Sequence, residues 1–195
     1  MPSAVSNPSS TFHSHLPSKQ TAIIQHENGE LKVTRDVPLP KVGADMILVK
    51  VHAVALNPCD YKMASRFPSP GAVDGCDFSG TVVAQGPVAE KIGSFQVGDR
   101  VCGAVHGSNP IDHQSGSFAE YVAIDAEFLF KIPGSLSFDD AAAIGGTVVG
   151  TLGLVFFESL ALLGSLSKPA EKPAVVLVYG GSTSVGTMSI QLLNL

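Results

Sequence analysis

Short apolar runs, separated by turn residues, dominate the chain from Thr21 to Val105. Valine, isoleucine and threonine are frequent in the runs, as is typical of β-strands, while glycine, proline, asparagine and aspartate separate them. Because no long helical stretch lies between most runs, the pattern favours an antiparallel or barrel-like β domain over alternating parallel strands and helices. The predicted strands are TAIIQ, LKVTRDV, MILVKVHAVAL, FSGTVVAQG and DRVCGAV.

The second half of the chain brings in helices. GSFAEYVAID and FLFKIP predict two more strands, and Ser137 is then expected to cap a helix that carries acidic residues in its first turn and runs into the AAA cluster. A second helical region is expected from about Thr147 to Leu163. The proline-bearing connector GSLSKPAEKPA follows it and marks the last boundary.

The last residues have the pattern of a strand, a glycine turn and a helix. Val175 to Tyr179 predicts a buried strand, and Val185, Met188 and Leu192 then fall at helical spacings that form one apolar stripe. Such a unit opens a dinucleotide-binding fold. One βαβ unit alone takes about 30 residues, so we expect an incomplete cofactor site and a stripe with almost no sheet to cover it.

Composition and charge narrow the class of protein. The 195 residues are 45% apolar, which is ample for a hydrophobic core, and a net charge of -5 with 12 Lys+Arg disfavours nucleic acid as a partner. Cys59, Cys76 and Cys102 form neither a CxxC pair nor an even disulfide set, which favours a reducing, cytoplasmic location. None of the six histidines has metal-ligand spacing.

Two segments bear on targeting. The first 18 residues predict a flexible tail, because they lack the charged start and apolar stretch of a secretory signal. Residues 141–157 carry no charge and just reach the length of a membrane span. Glycines within this stretch and acidic residues beside it favour a buried helix or turn pair, with membrane insertion as the minor alternative.

Six blocks occur along the chain in this order: VHAVALNPCDYK, GCDFSGTVVAQG, VGDRVCG, GSFAEYVAI, LSFDDAAAIGGT and VLVYGGSTSVG. Together they resemble the medium-chain dehydrogenase/reductase superfamily over residues 21–195. The resemblance implies an α+β to α/β fold, with a GroES-like β-barrel catalytic domain followed by the first strand and helix of a Rossmann fold. It divides the chain into a tail (1–18), a catalytic domain (19–135), linking helices (136–172) and an incomplete start of the NADP-binding domain (173–195).

Within the superfamily, NPCDYKM, the AAA run and YGGSTS are most similar to the fungal trans-acting enoyl reductases. The zinc alcohol dehydrogenase branch is disfavoured, because Asn57 takes the place of its first cysteine ligand and its histidine block reads Gly75, Cys76, Asp77. A tetrahedral zinc site needs three or four convergent ligands. The resemblance therefore implies no metal, unless Cys59 and Cys76 rearrange.

The resemblance to the trans-acting reductases implies a function. It is the zinc-independent, NADPH-dependent reduction of the enoyl double bond of a polyketide chain, which a partner highly reducing polyketide synthase carries. We expect the short Rossmann part to impair activity. Two alternatives stay open: a non-catalytic fragment of such a reductase, and a quinone or enal reductase of the same superfamily that acts on free small molecules.

The resemblance places Cys59, Asp60, Tyr61 and Lys62 beside the cofactor. Lys62 and Tyr61 are the expected catalytic residues, because a cation or hydroxyl there can stabilise the developing charge or donate the proton. From the residues alone, Lys62 is more often a solvated surface residue and Tyr61 is equally a packing residue of the barrel. Asn57 and Asp60 are also explained by turn chemistry alone.

The terminal turn supplies the other expected cofactor contacts. The family's GxxGxxG spacing is met at Gly180 and Gly186, with a threonine in place of the middle glycine. Hydroxyls and backbone N–H groups at a helix start favour phosphate, which suits NADPH. The expected contacts are Ser182, Thr183, Ser184 and Val185.

The resemblance also places the floor of the substrate pocket in one segment of small residues. Glycines there would let an acyl chain or a flat ring approach the backbone. Helix packing between two domains explains Gly150 and Gly153 equally well. The expected substrate contacts are Thr147, Val148, Val149, Gly150, Thr151, Leu152, Gly153 and Leu154.

Overall fold

The computed structural model describes residues 16–146, 151–164, 167–168, 170–172 and 174–194. The strands predicted between Thr21 and Val105 are confirmed, as are the two that follow them. The strands are β1 (Lys19–Gln25), β2 (Leu31–Pro38), β3 (Met46–Val54), β4 (Asp77–Gln85), β5 (Arg100–Ala104), β6 (Tyr121–Asp125) and β7 (Leu129–Lys131).

The strands form two antiparallel sheets. β1 pairs with β2, and the other strands form a five-stranded sheet in the order β6-β3-β4-β5-β7. Isolated bridges from Ala22 to Ala119 and from Ile24 to Val73 attach β1 to the loops around the larger sheet. The prediction of an antiparallel β domain is therefore confirmed.

Apolar side chains cover both faces of the larger sheet. On one face, Phe78 and Val82 of β4 pack with residues of the neighbouring strands, and the helix after β4 contributes Ala89. On the other face, Leu48 and Ala123 pack with Leu16, which lies within the segment predicted as a flexible tail. Alternating inward and outward side chains bury this sheet from both sides, so it is the core of the molecule.

Short helices connect the strands. The helices are α1 (Pro58–Arg66), α2 (Pro87–Ile92), α3 (Phe138–Ile144), α4 (Thr151–Gly153), which continues as a π-helical segment (Leu154–Ser159), and α5 (Ser184–Leu193). The predicted Ser137 cap is confirmed, because its side chain accepts a hydrogen bond from the backbone N–H of Asp140. The described part of the second helical region ends at Ser159, short of the predicted Leu163. No helix among the described residues is both long and apolar enough to cross a bilayer.

The strand predicted from Val175 to Tyr179 is wrong. This segment is not in a strand, and Val175 and Tyr179 are fully exposed. A strand forms only where a neighbour takes up its backbone hydrogen bonds, and in the part of the chain that the structure describes no strand pairs with it. The apolar spacing that suggested burial is therefore present without its packing partner.

The expectation of an uncovered stripe on α5 is also wrong in part. Met188 and Leu192 pack against Leu152 and Phe156 of the α4 region. Val185, the first residue of the stripe, is 37% exposed. The helix thus finds a helical partner in place of the sheet that the pattern called for.

Candidate active site

The start of α1 is fixed by a small set of polar contacts. The backbone N–H of Asn57 donates to a carboxylate oxygen of Asp60 at 2.7 Å, as turn chemistry predicts. The Asn57 side chain reaches further, donating through Nδ2 to Asp77 Oδ2 at 2.8 Å. Asn57 therefore ties the first turn of α1 to the first residue of β4, a role that sequence reasoning missed.

Two thiols and a carboxylate meet beside this turn. Cys59 Sγ lies 4.0 Å from Cys76 Sγ and 3.7 Å from Asp60 Oδ1. The three potential ligand atoms lie within 4.8 Å of one another. Three convergent donors are the minimum for a zinc site, and Cys59 and Cys76 are the two residues whose rearrangement was the stated exception to the expected absence of a metal. Asn57, which stands in the place of the first zinc ligand, donates to Asp77 and is not part of this group. The absence of a metal stays a prediction.

Electrostatics at this cluster disfavour negative charge. Burial, together with the nearby Asp60, raises the pKa of the Cys59 thiol. Burial raises the pKa of Cys76 to about 12. Burial and the neighbouring Asp74 raise the pKa of Asp60 as well, against the effect of the Asn57 N–H. Both thiols are therefore protonated at neutral pH.

Tyr61 and Lys62 point away from the core. Tyr61 is 60% exposed, so its interpretation as a packing residue of the barrel is wrong. Lys62 is exposed too, and its Nζ lies 5.9 Å from the centroid of the Tyr61 ring. The structure thus places a hydroxyl and a cation side by side on the surface of α1, where either can meet a ligand.

The terminal turn is built as a close contact between a loop and a helix. Gly180 has a positive φ of 82°, and a Cβ at Gly186 would lie 2.2 Å from the Gly180 carbonyl oxygen. Only glycine fits at Gly186, which brings the N-terminus of α5 close to the turn. This geometry fits a phosphate-binding turn, since backbone N–H groups at a helix start then face the ligand.

The hydroxyls of this turn have different roles. Thr183 caps α5, because its Oγ1 accepts from the Gly186 N–H at 3.0 Å and donates to the Gly180 carbonyl at 2.9 Å. Ser182, Ser184 and Val185 are exposed. Of the predicted phosphate contacts, the two serines therefore have the accessible hydroxyls, while that of Thr183 is engaged within the protein.

The predicted substrate segment is only partly described. Thr147, Val148, Val149 and Gly150 lie outside the described residues, as do the side chains of Thr151 and Leu154. Leu152 is buried and packs against Phe156 and α5. A Cβ at Gly153 would meet no described atom within 4 Å outside the backbone of its own helix.

Comparison with known proteins agrees with this architecture. Residues 43–134 match the family described as the alcohol dehydrogenase GroES-like domain. A solved alcohol dehydrogenase superfamily protein from Novosphingobium aromaticivorans is 27% identical, with a TM-score of 0.71 over 90% of this chain and 50% of that one. The quinone oxidoreductase from Coxiella burnetii is 29% identical, with a TM-score of 0.65 over 90% of this chain and 53% of that one. Residues 43–134 therefore form a GroES-like domain, and the chain is similar in fold to proteins of the medium-chain dehydrogenase/reductase superfamily.

Within this superfamily, the chain is similar to fungal trans-enoyl reductases. Trans-enoyl reductase ccsC of Aspergillus clavatus is 60% identical over 181 residues, which are 92% of this chain and 50% of the relative. Trans-enoyl reductase ffsC of Aspergillus flavipes is 57% identical over 192 residues, 97% of this chain and 52% of the relative. The predicted likeness to trans-enoyl reductases is confirmed. The chain spans about half the length of the curated relatives it matches.

Proposed function

We propose that this chain carries the catalytic domain of an NADPH-dependent trans enoyl reductase. The observation that carries the proposal is the 60% identity to a trans-enoyl reductase over 92% of the chain. The substrate is an α,β-unsaturated acyl thioester that a partner polyketide synthase holds. That partner follows from the reductases' description as trans-acting and from the exposed position of α1, which a carrier-bound chain can approach.

NADPH, when bound, supplies the hydride for the β-carbon of the substrate. The chain's own residues then have to stabilise the charge on the thioester oxygen and protonate the α-carbon. Lys62 and Tyr61 are the proposed donors, because they lie side by side and exposed on α1. Ser182 and Ser184 are the proposed phosphate contacts. No step in this scheme requires a metal, and the zinc-independent mechanism is part of the proposal.

The proposed turnover is tested on a chimera. Residues 1–195 are joined to the C-terminal half of the Aspergillus clavatus relative, and NADPH oxidation is followed with a crotonyl thioester. We expect turnover, and we expect Lys62→Ala to lower kcat at least tenfold, about 1.4 kcal/mol of transition-state stabilisation. Lys91→Ala, an exposed lysine of α2, is the matched control and should leave kcat unchanged. Equal rates for the two variants would remove Lys62 from the mechanism.

A quinone is the second substrate in the same assay, because the solved Coxiella burnetii relative is a quinone oxidoreductase of 29% identity. Activity on the quinone alone would overturn the enoyl reductase and favour the alternative. The 195-residue chain is titrated separately with NADPH by fluorescence. Lack of binding there, with turnover in the chimera, would mean that this chain by itself is a non-catalytic fragment.

A further inference from the structure

We propose that Cys59 and Cys76 are a redox-active thiol pair, which a hydroperoxide converts into a reversible disulfide between the first turn of α1 and the start of β4. The two sulfurs lie 4.0 Å apart, and both residues are partly exposed. A disulfide requires an S–S distance of about 2.05 Å. The sulfurs therefore have to approach by about 2 Å, which is within the reach of side-chain rotation.

The two segments are already held together by other contacts. Asn57 Nδ2 donates to Asp77 Oδ2 at 2.8 Å, and these residues lie close in sequence to the two cysteines. The carbonyl oxygen of Cys76 also accepts a hydrogen bond from the Val105 N–H at 3.1 Å, which fixes the backbone at the second cysteine. The cross-link thus joins two positions that the fold already holds in contact, with no domain movement.

The reaction balances with a hydroperoxide as the two-electron oxidant. The thiolate of Cys59, the more accessible sulfur, attacks the peroxide oxygen, so that the O–O bond breaks and a sulfenic acid and an alcohol or water form. The Cys76 thiol then attacks the Cys59 sulfur, forming the S–S bond and releasing water. Two thiols are oxidised, one peroxide is reduced, and a small dithiol reverses the reaction by exchange.

Cys102 is excluded from this chemistry by its packing. It is buried and packs with Ile132 and Ala141. A Cβ at Gly145 would lie 2.7 Å from its sulfur, so the backbone of that glycine closes off the thiol. Cys102 is therefore the internal control for the reactivity of the pair.

The experiment uses the 195-residue chain and hydrogen peroxide as the probe. Trypsin separates the three cysteines, because cleavage at the lysines and arginines places them in residues 51–62, 67–91 and 101–131. After oxidation and blocking of free thiols, we expect one linked species of 51–62 with 67–91, lighter by two hydrogens and lost on treatment with dithiothreitol. The rate should rise roughly tenfold for each pH unit, because only the thiolate reacts.

Variants identify the partners. Cys59→Ser and Cys76→Ser should each abolish the linked species, while Cys102→Ala should retain it. The digest of the wild-type chain tests the proposed disulfide even if a variant fails to fold. The proposal is overturned if 51–62 and 67–91 remain as free thiols, if they carry only sulfinic acid, or if the link involves 101–131. None of these readouts depends on reductase activity, so the outcome is independent of the proposed function.

Discussion

The Asp60 side chain has two effects at the start of α1. Its carboxylate accepts the Asn57 N–H and so fixes the first turn of the helix. The same carboxylate raises the pKa of the Cys59 and Cys76 thiols, adding to the larger effect of burial. This matters for the proposed substrate, because thiolates add to activated double bonds whereas protonated thiols do so far more slowly. At neutral pH the cluster therefore holds both thiols in their protonated, less nucleophilic form.

Removing the charge of Asp60 should make the thiol pair more reactive. Asp60→Asn keeps an oxygen for the Asn57 N–H but removes the repulsion that opposes the thiolate form. We expect alkylation of Cys59 by iodoacetamide at neutral pH to become about 3- to 10-fold faster, because more of the Cys59 thiol is then in the thiolate form. Asp36→Asn is the matched control, since Asp36 is an exposed residue of β2. Equal acceleration in both variants would assign the effect to overall charge.

The terminal turn and α5 form one element because the backbone of the turn lies in close contact with the first turn of the helix. Gly186 is buried and its α-carbon faces the Gly180 carbonyl. The Thr183 hydroxyl donates a hydrogen bond to the Gly180 carbonyl and accepts one from the Gly186 N–H. This arrangement does not depend on a strand before the turn, because Val175 to Tyr179 is exposed and without strand structure. The glycine turn and helix therefore form by local chemistry, whereas the strand needs a neighbour.

Adding a methyl group at Gly186 should loosen this element. Gly186→Ala places a Cβ against backbone, and we expect a cost of about 1–3 kcal/mol in the local stability of α5. Gly153→Ala is the matched control, because Gly153 is a helical glycine with φ -56° and a methyl group added there would meet no described atom within 4 Å. It should be neutral or stabilise by up to about 1 kcal/mol. Hydrogen exchange of residues 184–193 measures the difference, and equal exchange in both variants would contradict it.

The sequence predicts the elements that local pattern controls. Apolar alternation predicts the strands up to Lys131, and capping and turn chemistry predict the Ser137 cap and the helix that begins within YGGSTSVG. The structure confirms them. The contact between Cys59 and Cys76 is not predictable from spacing, because 16 residues separate the two cysteines and the fold alone brings them together. The Asn57–Asp77 contact and the packing of α5 against the α4 region were not predicted either, because each joins residues that are distant in sequence.

At the scale of the whole molecule, the described residues contain separate apolar cores. The core of the five-stranded sheet includes Phe78, which is fully buried. A smaller cluster joins Leu152 and Phe156 to Met188 and Leu192 of α5, and it shares no residue with the sheet core. Stability need not be uniform across such a chain, because segments with their own small core open at lower free energy than the main core.

Two truncations of apolar side chains should therefore act on different parts of the molecule. Phe78→Ala should destabilise the sheet by about 3–5 kcal/mol, because it empties a fully buried site, and should speed hydrogen exchange in β3, β4 and β6. Leu192→Ala should speed exchange in residues 151–159 and 184–193 and leave the sheet protected. Mass spectrometry of the peptic peptides resolves these segments. If Leu192→Ala speeds exchange of β3 and β4 as much as that of α5, the chain unfolds as one cooperative unit and the division into two cores carries no energetic meaning.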